Sequence, residues 1–189
     1  MVSMYRKCGL AALVASAAYL GACTPVESQK APAATATVAQ ALCALGYSSI
    51  PLRTLPTGHH VVDVSLNGRP ATFVVDTGAG RTVIHKPHAQ SFGLQEGGGP
   101  VGTAIGAGGS TSVSRVAVND LTIATTRTAL TGIFALDLAH VVKALDPIVG
   151  SPVHGIIGQD VMQAQHAIID VQQSRLYLNP LPNERRTGC

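Results

Sequence analysis

The sequence predicts a mostly β domain, and three observations carry that prediction. Runs rich in Val, Ile and Thr recur at short intervals from residue 60 onward. Asn67-Gly68 stands between two of them, the strongest short-range signal for a two-residue hairpin. Aromatic residues make up 4% of the chain, with no Trp, while Gly numbers 20, so the core has to be built from aliphatic side chains between tight turns. With 189 residues, 46% hydrophobic and 12% charged, there is enough chain for one compact domain with its own core.

The elements follow in order. His60-Val61-Val62-Asp63-Val64-Ser65-Leu66 and Ala71-Thr72-Phe73-Val74-Val75 should pair antiparallel across Asn67-Gly68. Further strands are expected over 82–84, 112–118, 121–125 and 128–134, separated by glycine clusters or Asn119-Asp120. One or two short helices are expected, around 87–92 and 136–145, and a third is readable from Asp160, whose carboxylate suits a helix N-terminus. A last hairpin, 167–171 with 175–178, turns near Gln172-Gln173. Asn179-Pro180 and Pro182 then end regular structure.

The domain is preceded by an address. Arg6 and Lys7 form a basic start, and residues 9–22 form an apolar run too short to span a bilayer, as in a signal peptide. Leu20-Gly21-Ala22-Cys23 resembles the bacterial lipobox, which implies cleavage after residue 22 and a lipid on Cys23. An ordinary secretory signal would also carry the domain out of the cytoplasm. Thr24 rather than Asp after the Cys implies a lipid-anchored protein of the bacterial cell envelope, in the outer membrane and facing the periplasm. Residues 23–44 then read as the lipidated Cys and a flexible linker, small, polar and Pro-containing. The domain is expected over 45–182, with a C-terminal tail at 183–189.

Charge excludes one class of partner. Arg6 and Lys7 supply part of the excess of 13 Lys and Arg over 10 Asp and Glu, so the mature chain is nearly balanced and no nucleic acid is expected. Cys8 leaves with the signal and Cys23 takes lipid, which leaves Cys43 and Cys189. That pair admits three states in an oxidising compartment: one disulfide, two free thiols, or a link between two subunits.

The chemistry centres on Phe73-Val74-Val75-Asp76-Thr77-Gly78-Ala79, which puts an acid at the end of an apolar strand, where burial normally excludes one. By itself an Asp-Thr-Gly turn is common, because Asp bonds its own backbone and Gly bends freely. The surroundings make it specific. Thr82-Val83-Ile84 resumes a strand after the motif, and His154-Gly155-Ile156-Ile157-Gly158-Gln159-Asp160 follows downstream. Together they resemble the retropepsin-like aspartic peptidases, over about residues 45–180.

The resemblance implies a single-lobe acid protease barrel in which Asp76 is catalytic and Thr77, Gly78 and Ala79 support it. It makes Ile156, Ile157 and Gly158 the hydrophobic-Gly segment behind the loop. Gly106, Ala107, Gly108 and Gly109, otherwise readable as a surface loop, become the tip of a flap over bound peptide. No cofactor and no metal are implied, because two carboxylates sharing one proton can activate water and protonate the substrate. No other Asp in this chain precedes Ser-Gly or Thr-Gly, so the second carboxylate has to come from a second copy. A two-fold homodimer would bring one Asp76 from each subunit to the axis, with Thr77 bracing the two loops.

Two other readings compete. His85-Lys86-Pro87-His88, with His59-His60 upstream, has the look of a metal site, but no Cys or Glu completes it and surface histidines account for the pattern better. His154 and His166, flanking the glycine segment, are readable as pH-tuning groups or as ordinary imidazoles. Arg81 and Asp160 could pair, although two solvated charges explain them better. The rival to the peptidase is a non-catalytic periplasmic binding or scaffold lipoprotein of the same fold, because fold does not guarantee activity.

Overall fold

The structure, a computed structural model, describes residues 37–106 and 109–182, with the side chains of residues 96 and 98–100 left out. The signal peptide, the lipobox Cys23 and the 183–189 tail lie outside the described residues. The expected linker, 23–44, runs into the first helix, α1 (Val38–Ala44), so the folded part begins earlier than residue 45. Thr37 starts that helix with a capping box. Its hydroxyl accepts from the Gln40 amide while the Gln40 side chain accepts from the Thr37 amide, and Leu42 is buried.

Two short strands missed in the sequence follow, β1 (Ser48–Pro51) and β2 (Arg53–Thr54). Next come β3 (His60–Leu66) and β4 (Arg69–Val75), paired antiparallel in full register from His60 with Val75 to Leu66 with Arg69. Their turn has positive φ at both Asn67 (49°) and Gly68 (76°), the geometry whose twist matches paired strands. Asn67 also ties the hairpin to the rest of the domain. Its side-chain oxygen accepts from the amides of Asn119 and Asp120, and its Nδ2 donates to Phe92 O at 3.0 Å.

After the loop at Asp76 come β5 (Val83–His85), α2 (Lys86–Ala89), a 3-10 turn (Gln90–Phe92), and the long hairpin of β6 (Glu96–Gly106) and β7 (Gly109–Ala117). Then follow β8 (Leu121–Ile123), β9 (Thr126–Arg127) and β10 (Gly132–Leu136). Helix α3 (Ala139–Val149) starts three residues later than expected, because Leu136 is still strand and pairs parallel with His85. The chain closes with β11 (Gly155–Ile157), α4 (Gln159–Ala164), β12 (Ile168–Asp170) and β13 (Arg175–Leu178).

The large sheet runs β6-β7-β10-β5-β11-β4-β3-β8-β9, with β2 added beside β3, and a small sheet runs β1-β13-β12. Two pairings within the large sheet are parallel, β10 with β5 and β11 with β4. Strand alternation divides the apolar residues into two clusters. Val62, Val64, Leu66, Phe73 and Ile157 pack with Leu176 and Leu178 of the small sheet. Val61, Val74, Val83 and Ile156 face the other way, with Leu136, Leu138 and Leu145. The second cluster underlies the cleft described next.

Candidate active site

Asp76 follows β4, a strand flanked by β3 and β11 in the sheet's interior. Its amide donates to Ile157 O at 3.1 Å, which continues the β4–β11 ladder by one step. The chain then turns on the side chain itself. Gly78 N–H donates to Asp76 Oδ1 at 2.8 Å, and Ala79 N–H donates to Asp76 O at 3.2 Å. This is the local turn that Asp favours. Asp76 is half-buried, whereas Thr77 and Gly78 are exposed. A Cβ added at Gly78 would meet Asp76 Oδ1 at 3.1 Å, so this glycine gives the carboxylate room to sit over its own turn.

The hydrophobic-Gly segment clamps that turn from behind. Gln159 N–H donates to Ala79 O at 2.8 Å, and Gln159 Nε2 donates to Thr77 O at 2.6 Å. Gly158 N–H donates to Thr82 Oγ1 at 3.0 Å. Contact is so close that a Cβ at Gly158 would lie 2.4 Å from Arg81 C and 2.5 Å from Arg81 O. At Gly155 it would lie 2.2 Å from Val83 O and 2.5 Å from the Phe73 ring. Ile156 faces the cleft and Ile157 is fully buried in the core, so the two isoleucines of this segment serve opposite sides of one strand, and Gly158 follows it.

Asp160 departs from both expectations. Gly158, not Asp160, is the N-cap residue of α4, and the Asp160 carboxylate turns to Thr82 rather than Arg81. It accepts the Thr82 amide on both oxygens at 2.9 Å, the Thr82 hydroxyl at 2.7 Å and the Val161 amide at 2.9 Å. Thr82 is fully buried. Its part in holding the site has no local sequence signal, because its partner is 78 residues away.

A cleft of about 700 Å³ opens above Asp76. Gly106 and Gly109, paired across the tip of the β6–β7 hairpin, share it with Asp76, Gly78 and Ala79. Gly109 has φ +96°, which glycine adopts without strain. Ala107 and Gly108 lie outside the described residues. Next to the tip, Ile105 is 87% exposed. Sequence reasoning missed a further stretch of the wall, where Leu136, Asp137, Leu138, His140 and Val141 line the cleft, and it missed His59 and Arg81, which also line it.

The histidines are not simply on the surface, contrary to the expectation for 85–88. His85 is buried, and its ring lies 5.3 Å from that of His88, which in turn lies 5.0 Å from that of His154. Phe92 meets His154 edge-on at 5.3 Å. Two ring nitrogens are occupied by backbone amides. Leu138 N–H donates to His85 Nδ1 at 3.0 Å, and Thr72 N–H donates to His154 Nδ1 at 3.1 Å. Burial, then the neighbouring His88, push both imidazoles below their ordinary range. His166 is exposed. Among the described residues, no group of three or more His, Cys, Asp or Glu is arranged to hold a metal. Cys43 is disulfide-bonded, and the other three cysteines, Cys8, Cys23 and Cys189, lie outside the described residues.

The chain is similar in structure to a retropepsin-like aspartic protease from Rickettsia conorii, with 20% identity, a TM-score of 0.48, and coverage of 71% of this chain and 92% of the other. It is also similar to the retroviral protease-like domain of Ddi1 from Leishmania major, at 16% identity, TM-score 0.46, and 64% and 88% coverage. For the EIAV protease the values are 21%, 0.38, 55% and 84%. No curated protein matches the sequence. Residues 62–161, more than half of the chain and the whole stretch from β3 through the Asp76 loop to the start of α4, match the family described as Aspartyl protease, and the chain belongs to that family.

Proposed function

We propose that this protein is an aspartic endopeptidase that hydrolyses peptide bonds with a pair of carboxylates, one Asp76 from each subunit of a homodimer. The observation that carries the reading is that Asp76 lines one cleft together with Gly106 and Gly109 of the hairpin tip. Among the described residues its one hydrogen-bond partner is the Gly78 amide on Oδ1, which leaves Oδ2 for water or a second carboxylate. A pair that shares one proton contains both species hydrolysis needs. The ionised member takes a proton from the attacking water, and the neutral member protonates the substrate. Thr77, exposed and held through its carbonyl by Gln159, would brace the loop against its symmetry mate. Gly106 and Gly109 would close over the peptide.

The same proposal places the protein in the bacterial envelope, lipidated on Cys23 and held in the outer membrane with its domain in the periplasm. Membrane fractionation of wild type against Cys23→Ala tests this part, and an unchanged distribution would end it.

For the activity, a soluble form starting at Thr24 should cleave peptide mixtures somewhere between acidic and neutral pH. Asp76→Asn should abolish cleavage, and a statine-type mimic should inhibit it. Specific activity should fall on dilution as the dimer dissociates. If a demonstrably dimeric preparation cuts nothing at any pH, or the Asn variant cuts equally well, the peptidase reading fails.

A further inference from the structure

None of the chemistry above uses the buried imidazole that ends the strand following the Asp76 loop. His85 closes β5 at 7% exposure, and its Nδ1 accepts the Leu138 amide at 3.0 Å. A ring nitrogen that accepts a hydrogen bond carries its lone pair, so the ring is neutral with its proton on Nε2. Leu138 is the residue at which β10 gives way to α3, and as N-cap residue it offers no side-chain acceptor of its own. The segment it begins matters to the cleft, because Leu136, Asp137, Leu138, His140 and Val141 form part of its wall. One imidazole nitrogen therefore holds the backbone at the middle of that wall.

A competing partner stands beside this bond. Asp137 Oδ1 lies 3.8 Å from His85 Nδ1 and at present accepts the Ala139 amide at 2.8 Å. Protonation converts Nδ1 from acceptor to donor. The Leu138 N–H would then face another N–H, while the carboxylate of Asp137 would gain a cation within reach. Both changes act on residues 137–139, where the helix starts.

We infer that His85 is a positioning residue of the cleft: neutral, it pins the 136–141 wall through the Leu138 amide, and protonated, it releases that amide and turns toward Asp137. The groups that set its charge come from each element around it. His88 on α2 opposes protonation, together with burial, which has the larger effect. Asp137 after β10, Asp146 on α3 and the Leu136 backbone favour it and are outweighed. His154 joins the cluster through His88, and Lys86 lies exposed next to His85 in the chain. The ring thus stays neutral near neutral pH, and the wall is released only on acidification below the ordinary imidazole value of 6.5.

That the wall contacts peptide rests on the peptidase reading; that His85 pins it does not. The test is accordingly a titration of the resting protein, with kinetics as a second arm. Nitrogen NMR of the His85 ring should report the Nε2–H form at neutral pH, and the Leu138 amide resonance should move with the His85 titration as pH falls below about 6.5. In His85→Asn, whose Oδ1 can accept the same amide and does not titrate in this range, the Leu138 resonance should stay flat. His154→Asn should leave the coupling of Leu138 to His85 in place, since His154 bonds Thr72 instead. A Leu138 resonance indifferent to His85 protonation, or a neutral ring carrying its proton on Nδ1, would overturn the assignment even if the Asn variant fails to fold. In the kinetic arm, KM for a cleaved peptide should rise several-fold on acidification in wild type and not in His85→Asn, with kcat following one pH profile in both. An equal KM profile in the two proteins would remove His85 from substrate positioning.

Discussion

Thr82 and Asp160 are joined by three hydrogen bonds, with the Thr82 amide donating to both carboxylate oxygens at 2.9 Å and its hydroxyl donating to Oδ1 at 2.7 Å. The same hydroxyl oxygen accepts the Gly158 amide at 3.0 Å. A single buried side chain thus couples the strand leaving the Asp76 loop to the helix behind it. Asp160→Ala would leave the Thr82 amide and hydroxyl buried without an acceptor. A loss of about 2–4 kcal/mol is expected, since a hydrogen bond to a charged group contributes about 1.5–3 kcal/mol and an orphaned donor adds its desolvation cost. Thr82→Val keeps the amide bonds and should cost less, about 1–2 kcal/mol. Urea midpoints of the two variants check both the size and the order; Asp160→Ala as the milder change would contradict this account.

The close approach of Gly155 and Gly158 to backbone predicts a contrast among glycines. An added Cβ would sit 2.2 Å from Val83 O at the first and 2.4 Å from Arg81 C at the second, and neither obstacle can rotate away. Gly155→Ala and Gly158→Ala should each cost about 3 kcal/mol or more, at or above the upper end of overpacking effects, or prevent folding outright. At Gly80 an added Cβ meets nothing within 4 Å, so Gly80→Ala should stay within about 0.5 kcal/mol of wild type. Equal thermal midpoints for all three variants would refute the packing argument.

These glycines also show what the sequence could and could not reveal. Strands β3 and β13 fall at the boundaries that alternation and turn residues mark, because both signals are local, and Asp76 stood out because an acid at the end of an apolar strand is costly. The partners were hidden. Strand β1 exists by pairing with β13, more than 120 residues later, and Ser48-Ser49-Ile50-Pro51 has little strand character of its own. Strand β6 passes through Gly97-Gly98-Gly99-Pro100, where composition argues against a strand, and it is held by β7 with two shifts of register. Asp137, His140 and Arg81 join the cleft only through the folding of the whole sheet, so no spacing in the chain could have placed them there. His85 was misread because Lys86-Pro87 beside it looks like surface, whereas the ring turns inward against His88.

Ile105 offers a way to separate binding from folding. It is 87% exposed beside the hairpin tip yet lines the same cleft as Asp76, so it has little packing to lose. Ile105→Ser should leave the urea midpoint within about 0.5 kcal/mol of wild type. If the hairpin closes over peptide, the same change should raise KM several-fold for peptides with apolar side chains and leave the pH profile of kcat alone. An unchanged KM would mean that the tip does not contact substrate.

The two depressed imidazoles predict how stability responds to acid. His85 and His154 are both shifted below 6.5 in the folded protein, chiefly by burial and then by His88, while in the unfolded chain each should titrate near that value. Between the folded and unfolded values the unfolded state binds more protons, so stability rises with pH across that window and is fully present above about 6.5. Acidification should therefore lower the urea midpoint progressively from about pH 6.5 downward, before most carboxylates begin to protonate. His154→Asn should flatten part of that slope, because Asn can keep accepting the Thr72 amide without titrating. A midpoint that is constant or rises between about pH 7 and 5 would contradict the sign. The consequence for catalysis is a conflict of requirements. A carboxylate pair that must hold one proton favours acid, whereas the histidine cluster beneath the cleft wall favours neutrality, so activity should fall on the acid side earlier than the carboxylates alone would dictate. Measuring activity at sub-saturating peptide and the urea midpoint on the same samples decides it: if activity at low peptide concentration falls no earlier than the carboxylates alone would dictate, the histidine cluster does not govern the cleft.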